Sequence, residues 1–285
     1  MILCPSNRIQ NIRRGTWPVP QYLQGGRMVT FTQCRRVLGN AFTFLHHRGP
    51  KRFASELWYR IINAYHECRL GIKTDGMIKL ADLGIHNDEF VEYTPIGYIA
   101  IQRAFKMVPI PASSISFLDL GCGKGRAIAV AASHAFNKVR GVEISPELCR
   151  LAKKNIDMMR YRRTHTVEVI KADAADFVIP EDVNLIFLFN PFLGKTLARV
   201  IDNVHASYTA QPRRIYLIYF NKIHFERFLK DTRNGWIRPT HYMYFYPSYS
   251  CGIYEIGTEG GSAGNGHHWN LLMPLAMGYI TNLGL

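Results

Sequence analysis

The chain has 285 residues, is 47% hydrophobic and carries a formal charge of +14 at pH 7. That suits one enlarged domain, or a domain with an extension, and supplies enough apolar residues for a full core. No run approaches the 18 apolar residues of a membrane span, MILCPSNRIQ lacks the continuous apolar segment of a secretion signal, and six scattered cysteines without a C-x-x-C pair argue for free thiols in a reducing compartment and against structural zinc.

The charge is uneven. Residues 1–70 hold eleven of the 35 basic side chains, with Glu56 and Glu67 as the only acids. Such a stretch suits contact with nucleic acid, an anionic membrane or an acidic protein, or simply keeps the chain soluble. An Arg-rich, acid-poor start also marks mitochondrial transit peptides, but this one is poor in serine and broken at Pro18, Pro20 and Gly25-Gly26. We expect residues 1–52 to form a flexible basic arm and the protein to be cytoplasmic, with a mitochondrial location as the alternative. The pairs His46-His47 and His267-His268 lack ligand spacing and read as surface or loop residues.

The first predicted helix runs from Ala54 to Leu70. Ser55 is its N-cap, Leu57, Trp58, Ile61, Ile62 and Tyr65 share a face, and Gly71 stops it. A turn follows at Asp75-Gly76. A second helix is predicted over Pro95–Val108, capped by Thr94, with Pro95 at its first position and Ile96, Ile99, Ala100, Ala104 and Met107 inward. Residues 53–111 thus read as a helical extension leading into a core at 112–256.

That core opens with FLDLGCGKGRAIAVAA, Phe117–Ala132, which reads as strand, glycine-rich turn and alanine-rich helix. Three further strands are predicted at Lys138–Glu143, Val167–Ala172 and Val183–Phe189. They end in Glu143, in Asp173-Ala174 and in Asn190-Pro191-Phe192. In a parallel sheet four such polar ends share one edge, where ligands of open α/β folds bind. Ser145-Pro146 starts a helix with Leu148, Leu151, Ala152, Ile156 and Met159 inward, and the run Arg160–Arg163 reads as its solvated end. Leu197, Val200, Ile201, Val204 and Tyr208 mark another helix. A fifth strand at Arg214–Asn221, a short helix at Phe225–Lys230 and a hairpin of Trp236–Tyr246 with Tyr249–Ile256 close the core. Residues 257–285 form a tail, glycine-rich and then apolar.

The glycine loop is neither a phosphate loop, which needs G-x-x-x-x-G-K-[ST], nor a dinucleotide loop, because Arg126 stands where G-x-G-x-x-G requires its third glycine. Its pattern is D-x-G-x-G-x-G, a pattern that an ordinary tight strand-to-helix turn also fits. Glu143 lies 22 residues beyond Gly121, the spacing at which a carboxylate on the second strand accepts ribose hydroxyls.

These residues resemble motif I and the second-strand acid of class I S-adenosylmethionine-dependent methyltransferases. Over residues 90–256 the pieces Y-T-P, DLGCGKGR, GVEISPEL, KADA and FNPF look most like uncharacterised bacterial methyltransferases of that class. The layout is also similar to seven-strand protein-lysine methyltransferases. The resemblance implies an α/β, Rossmann-like doubly wound seven-stranded sheet with a terminal antiparallel hairpin. It implies S-adenosylmethionine as cofactor, held by Asp119, Gly121, Cys122, Gly123, Glu143, Asp173, Ala174 and Asn190, and no metal. Asn190, Pro191 and Phe192 would face the methyl acceptor, with Tyr93 either over the cofactor or buried in the core. Asp173 would meet the adenine amino group or be a loop carboxylate. The acceptor implied is an amino group of a protein, lysine-like. A nucleic-acid or small-molecule acceptor, or a non-catalytic cofactor-binding scaffold, are the alternatives. Pro191 departs from the Asn-Asn-Phe of the non-SET histone lysine enzymes, and a single proline departs from the two of amino-methylating nucleic-acid enzymes.

Overall fold

Five short strands form the parallel part of a seven-stranded sheet. The structure, a computed structural model, describes residues 50, 54–55, 57–79, 81–85, 88–221, 225, 235–245 and 249–257. The strands are β1 (Ser116–Leu120), β2 (Lys138–Glu143), β3 (Thr166–Lys171), β4 (Leu185–Phe189), β5 (Ile215–Phe220), β6 (Ile237–Phe245) and β7 (Tyr249–Ile256), in the spatial order β3-β2-β1-β4-β5-β7-β6. The first five run parallel, and β7 lies antiparallel between β5 and β6. Both β1 and β5 are buried at every residue, so each needs side chains that suit apolar surroundings on both faces. At the edge, β3 alternates between exposed and half-buried positions instead.

Helices cover both faces. Residues 57–70 are helical (α1), followed by α2 (Tyr98–Lys106), α3 (Arg126–Ala132), α4 (Pro146–Asp157) and α5 (Gly194–Ala210). Tyr98, Ile101 and Phe105 of α2 and Ile128 of α3 pack with Phe117, Val139, Phe187 and Ile218 on one face. On the other, Leu197, Val200, Ile201 and Val204 of α5 pack with Leu118, Ile186, Leu188 and Leu217. The chain therefore winds outward from β1 to β3, returns, and continues from β4 on the far side. That return makes the carboxyl ends of β1 and β4 the switch point where a crevice opens. The backbone divides into two units, Met1–Arg69 and Leu70–Leu285, and the site described below belongs to the second.

Two expectations need correction. Helix α2 begins at Tyr98, after Gly97, and has no side-chain cap, so Thr94 and Pro95 precede it. The reason is that the residues before it are used elsewhere: Tyr93 bridges to Ile78, and the Ile96 carbonyl accepts from Arg126 Nη1 at 2.8 Å. Met107 lies past the helix and is exposed, while Tyr98, Ile101 and Phe105 are buried with Ala100 and Ala104. By contrast Ser145 caps α4 as expected, accepting from Leu148 N, and Gly71 takes a positive φ of 77° after α1. All of the basic arm expected at 1–52 except Pro50, most of the helix predicted at Phe225–Lys230, both histidine pairs and the tail beyond residue 257 lie outside the described residues.

Candidate functional site

The glycine loop leaves β1 and turns back over the end of β2. The N–H groups of Gly121 and Cys122 both donate to the Val142 carbonyl, at 2.9 and 3.0 Å. This turn needs φ values of 81° at Gly121 and 55° at Gly123, where a side chain is strained. It also needs the space. A Cβ on Gly121 would stand 2.6 Å from Pro191 Cβ, and one on Gly123 would stand 2.3 Å from the ring of Tyr93. The bare backbone thus forms one wall of a cleft, with Tyr93 and Pro191 close above it.

Glu143 holds this loop in place. Its Oε2 accepts from Gly123 N at 2.8 Å and its Oε1 from Ser145 N at 3.0 Å. The Ile144 N–H also bears on this carboxylate, which offers about four lone-pair sites, so an acceptor site remains for a hydroxyl donor in the cleft. Burial pushes the Glu143 carboxyl above its ordinary value, against the pull of these backbone bonds. Asp119, 3% exposed, is pushed well above its own, first by burial and then by the Glu143 charge. Cys122 is driven up as well, by burial followed by both carboxylates, which makes its thiol a packing group and not a nucleophile.

Asp119, Glu143, Asp173, Ala174 and Asn190 all line this one cleft, as the shared strand edge requires. Asp173 commits Oδ1 to Ala175 N at 2.8 Å within its turn and keeps its other oxygen. Asn190 is buried and holds a φ of 43° just beyond β4. The Tyr219 hydroxyl donates to its Oδ1 across 3.5 Å, and burial raises the Tyr219 phenol above its ordinary value. The Pro191 carbonyl accepts from Val91 N at 3.2 Å, and Phe192, bridged to Phe90, packs edge-on against its ring at 6.1 Å. Tyr93 lines the cleft, with its ring over Gly123, and its hydroxyl donates to the Thr74 carbonyl at 2.6 Å.

Several contributors escape a reading of the sequence. Lys124 Nζ donates to the carbonyls of Asp75 and Gly76, at 2.7 and 2.9 Å. Arg126 lies buried against the Tyr98 ring and donates to Thr74 Oγ1 at 2.7 Å. Asn155 of α4 grips Lys73 at both its N–H and its carbonyl, and donates to the Lys124 carbonyl as well. Residues 73–76 are therefore strapped to the glycine loop by side chains that look like surface polar groups in sequence. Asn221, beyond β5, also lines the cleft. Its signal was present: β4 and β5 both end in Phe-Asn, at Phe189-Asn190 and Phe220-Asn221. Among the described residues no group of three or more His, Cys, Asp or Glu is placed to hold a metal ion.

A doubly wound sheet with a bare glycine wall, a ribose-spaced carboxylate and an open crevice at its switch point defines a protein that binds a nucleoside cofactor. Residues 117–208 match the family described as a methyltransferase domain. No curated protein matches the chain. Among solved structures, the chain is similar to an RNA methyltransferase from Salinibacter ruber in complex with S-adenosyl-L-homocysteine, at 18% identity over 59% of this chain and 97% of that one, with a TM-score of 0.44. It is similar to a SAM dependent methyltransferase from Aquifex aeolicus at 15% identity, covering 55% and 89%, with a TM-score of 0.43. For the ribosomal protein L11 methylase from Lactobacillus delbrueckii subsp. bulgaricus the values are 14%, 56%, 77% and 0.44. Residues 117–208 thus match a methyltransferase domain, and the sheet they belong to has the seven-stranded, doubly wound layout with a terminal antiparallel hairpin. The residues fit S-adenosylmethionine, the cofactor of such domains: the bare glycine wall gives room at its ribose end, and Glu143 stands beside it with an acceptor site to spare.

Proposed function

We propose that the protein transfers the methyl group to an amino nitrogen of a protein, lysine-like in chemistry. The observation that supports this most is Asn190, buried just beyond β4 and among the residues that line the cleft. Asn offers a carbonyl acceptor and two amide donors. An attacking amine needs an acceptor for its N–H while its lone pair faces the methyl carbon, and Asn190 meets that need. In this reading Phe192 and Tyr93 cover the amine and keep water away. The Pro191 carbonyl, already accepting from Val91, lends its second lone pair. Asp119, Gly121, Cys122, Gly123, Glu143, Asp173 and Ala174 hold the cofactor.

The bound cofactor supplies a methyl group already activated by its sulfonium. Asn190 would hold the acceptor nitrogen with its lone pair toward that methyl carbon, the electron pair of the broken carbon–sulfur bond would stay on sulfur, and solvent would take the proton the nitrogen sheds. A lysine amine, with a reference pKa of about 10.4, must first be neutral, and a dry site favours that form. The protein thus works by orientation and desolvation.

A second reading, transfer to a nucleic acid, draws support from the net charge of +14 and the basic stretch at 1–52, which we also propose as a polyanion contact. The two separate in one experiment. Purified protein is mixed with lysate from cells that lack it and with methyl-labelled S-adenosylmethionine. We expect label in protein, as an N-methyl group by mass spectrometry, and much slower labelling with Asn190→Ala at unchanged cofactor affinity. Label in nucleic acid would favour the second reading. An O- or S-methyl product would overturn the role given to Asn190.

A further inference from the structure

Among the described residues only two other than glycine hold a positive φ: Asn190 at 43° and Asn221 at 59°. They are neighbours in space. Asn190 follows β4, Asn221 follows β5, and the last pair in the parallel ladder between these strands is Phe189 with Phe220. The two asparagines leave adjacent strand ends side by side, and both line the cleft.

A left-handed turn alone does not call for asparagine twice. Glycine takes that conformation without penalty, whereas other residues pay roughly 1–2 kcal/mol, with Asn and Asp among the more tolerant. What asparagine adds is a carboxamide, and strained backbone of this kind gathers where ligands are held. The Asn221 N–H is anchored to the Ser250 carbonyl of β7 at 2.6 Å, which fixes the turn. Its carboxamide bonds to no described residue, and Asn221 is among the residues that line the cleft.

We propose that Asn221 is the second half of the acceptor site. This rests on the N-methylation reading above and adds a substrate class to it. A neutral primary amine carries two N–H hydrogens and one lone pair. Two carboxamide oxygens, one from Asn190 and one from Asn221, take the two hydrogens and leave the lone pair for the methyl carbon. Once methylated, the nitrogen has one N–H fewer and leaves one oxygen without its donor. The site therefore selects primary amines and stops at the monomethyl product.

Glycine variants test this, because Asn221→Gly and Asn190→Gly keep the left-handed backbone and remove only the carboxamide. The probe is sinefungin, an S-adenosylmethionine analogue with a primary amine where the sulfonium methyl stands. S-adenosylhomocysteine, which lacks that amine, is the reference. By calorimetry each glycine variant should bind sinefungin roughly ten-fold or more weakly, the worth of one hydrogen bond to a charged group, and bind S-adenosylhomocysteine as before. Asn221→Asp, which keeps an acceptor oxygen, should restore sinefungin binding. If Asn190→Gly loses sinefungin and Asn221→Gly does not, the role of Asn221 is overturned and the N-methylation reading stands. If neither variant changes, both fall. Equal loss of the two ligands in Asn221→Gly would make the residue part of the cofactor turn and overturn the proposal.

Discussion

The carboxylate of Glu89 accepts hydrogen bonds from the backbone N–H of Thr196 at 2.8 Å and from its hydroxyl at 2.6 Å, across 107 residues of chain. It also accepts from Lys195 N at 3.0 Å, so it closes the first turn of α5 from outside the helix. The Glu89 carbonyl takes Leu193 N at 2.7 Å. One residue therefore holds the loop that follows Asn190-Pro191-Phe192 at two levels.

These bonds, the Thr196 hydroxyl foremost, hold the Glu89 carboxyl below its ordinary value. A pKa depressed by folding stabilises above the unfolded value, about 4.3, and that stability fades as pH falls through the folded one. Glu89→Gln should melt at a lower temperature than the parent at neutral pH, and the gap should close in acid. A gap of the same size at both ends of the scan would mean the carboxylate charge plays no part.

Glu143 has the opposite sign. Burial raises its pKa, so its contribution to stability is present at low pH and is lost as pH rises through the raised value. Glu143→Gln gives up one of the two backbone acceptors but carries no titrating charge, so its stability deficit against the ligand-free parent should shrink as pH rises. The same change should weaken S-adenosylhomocysteine binding, since charge-assisted bonds to ribose hydroxyls are worth roughly 1.5–3 kcal/mol each. In the parent, that binding should fall with acidification above the ordinary carboxylate range. Calorimetry across pH tests both halves, and unchanged affinity in the variant would remove Glu143 from the cofactor site.

Gly123 and Tyr93 should be coupled. Gly123→Ala meets the Tyr93 ring at 2.3 Å and adds strain at a φ of 55°. The strain alone costs roughly 1–2 kcal/mol. Tyr93→Ala relieves the clash and leaves the strain. The double variant should thus recover part of the stability lost in Gly123→Ala, a non-additivity that denaturant titration reads directly. Simple addition of the two losses would show that the ring does not bear on the loop.

Deleting residues 1–52 should weaken binding to RNA, DNA or an acidic protein and flatten its dependence on salt, because fewer counterions are released. Cofactor affinity should not change, since the residues lining the cleft all come from the second unit. A truncated protein with the parent's salt slope would assign the stretch to solubility or targeting.

The parallel strands, the glycine turn and the acid at Glu143 were legible because each is a local demand. A strand buried on both faces must be largely apolar, and the turn's φ values favour glycine at Gly121 and Gly123. The strand-end residues could be gathered at one edge because parallel pairing forces it. What the tertiary structure alone decided is what covers the cleft. Nothing local marks Arg126 as a strap or Glu89 as a cap, because their partners Thr74 and Thr196 lie 52 and 107 residues away. The start of α2 moved to Tyr98 because Tyr93 and Ile96 bond to distant partners. Asn221 looked like the end of a strand, and only the pairing of β5 with β4 set it beside Asn190. A polar side chain takes its meaning from the partner it meets, and for these residues that partner lies far along the chain.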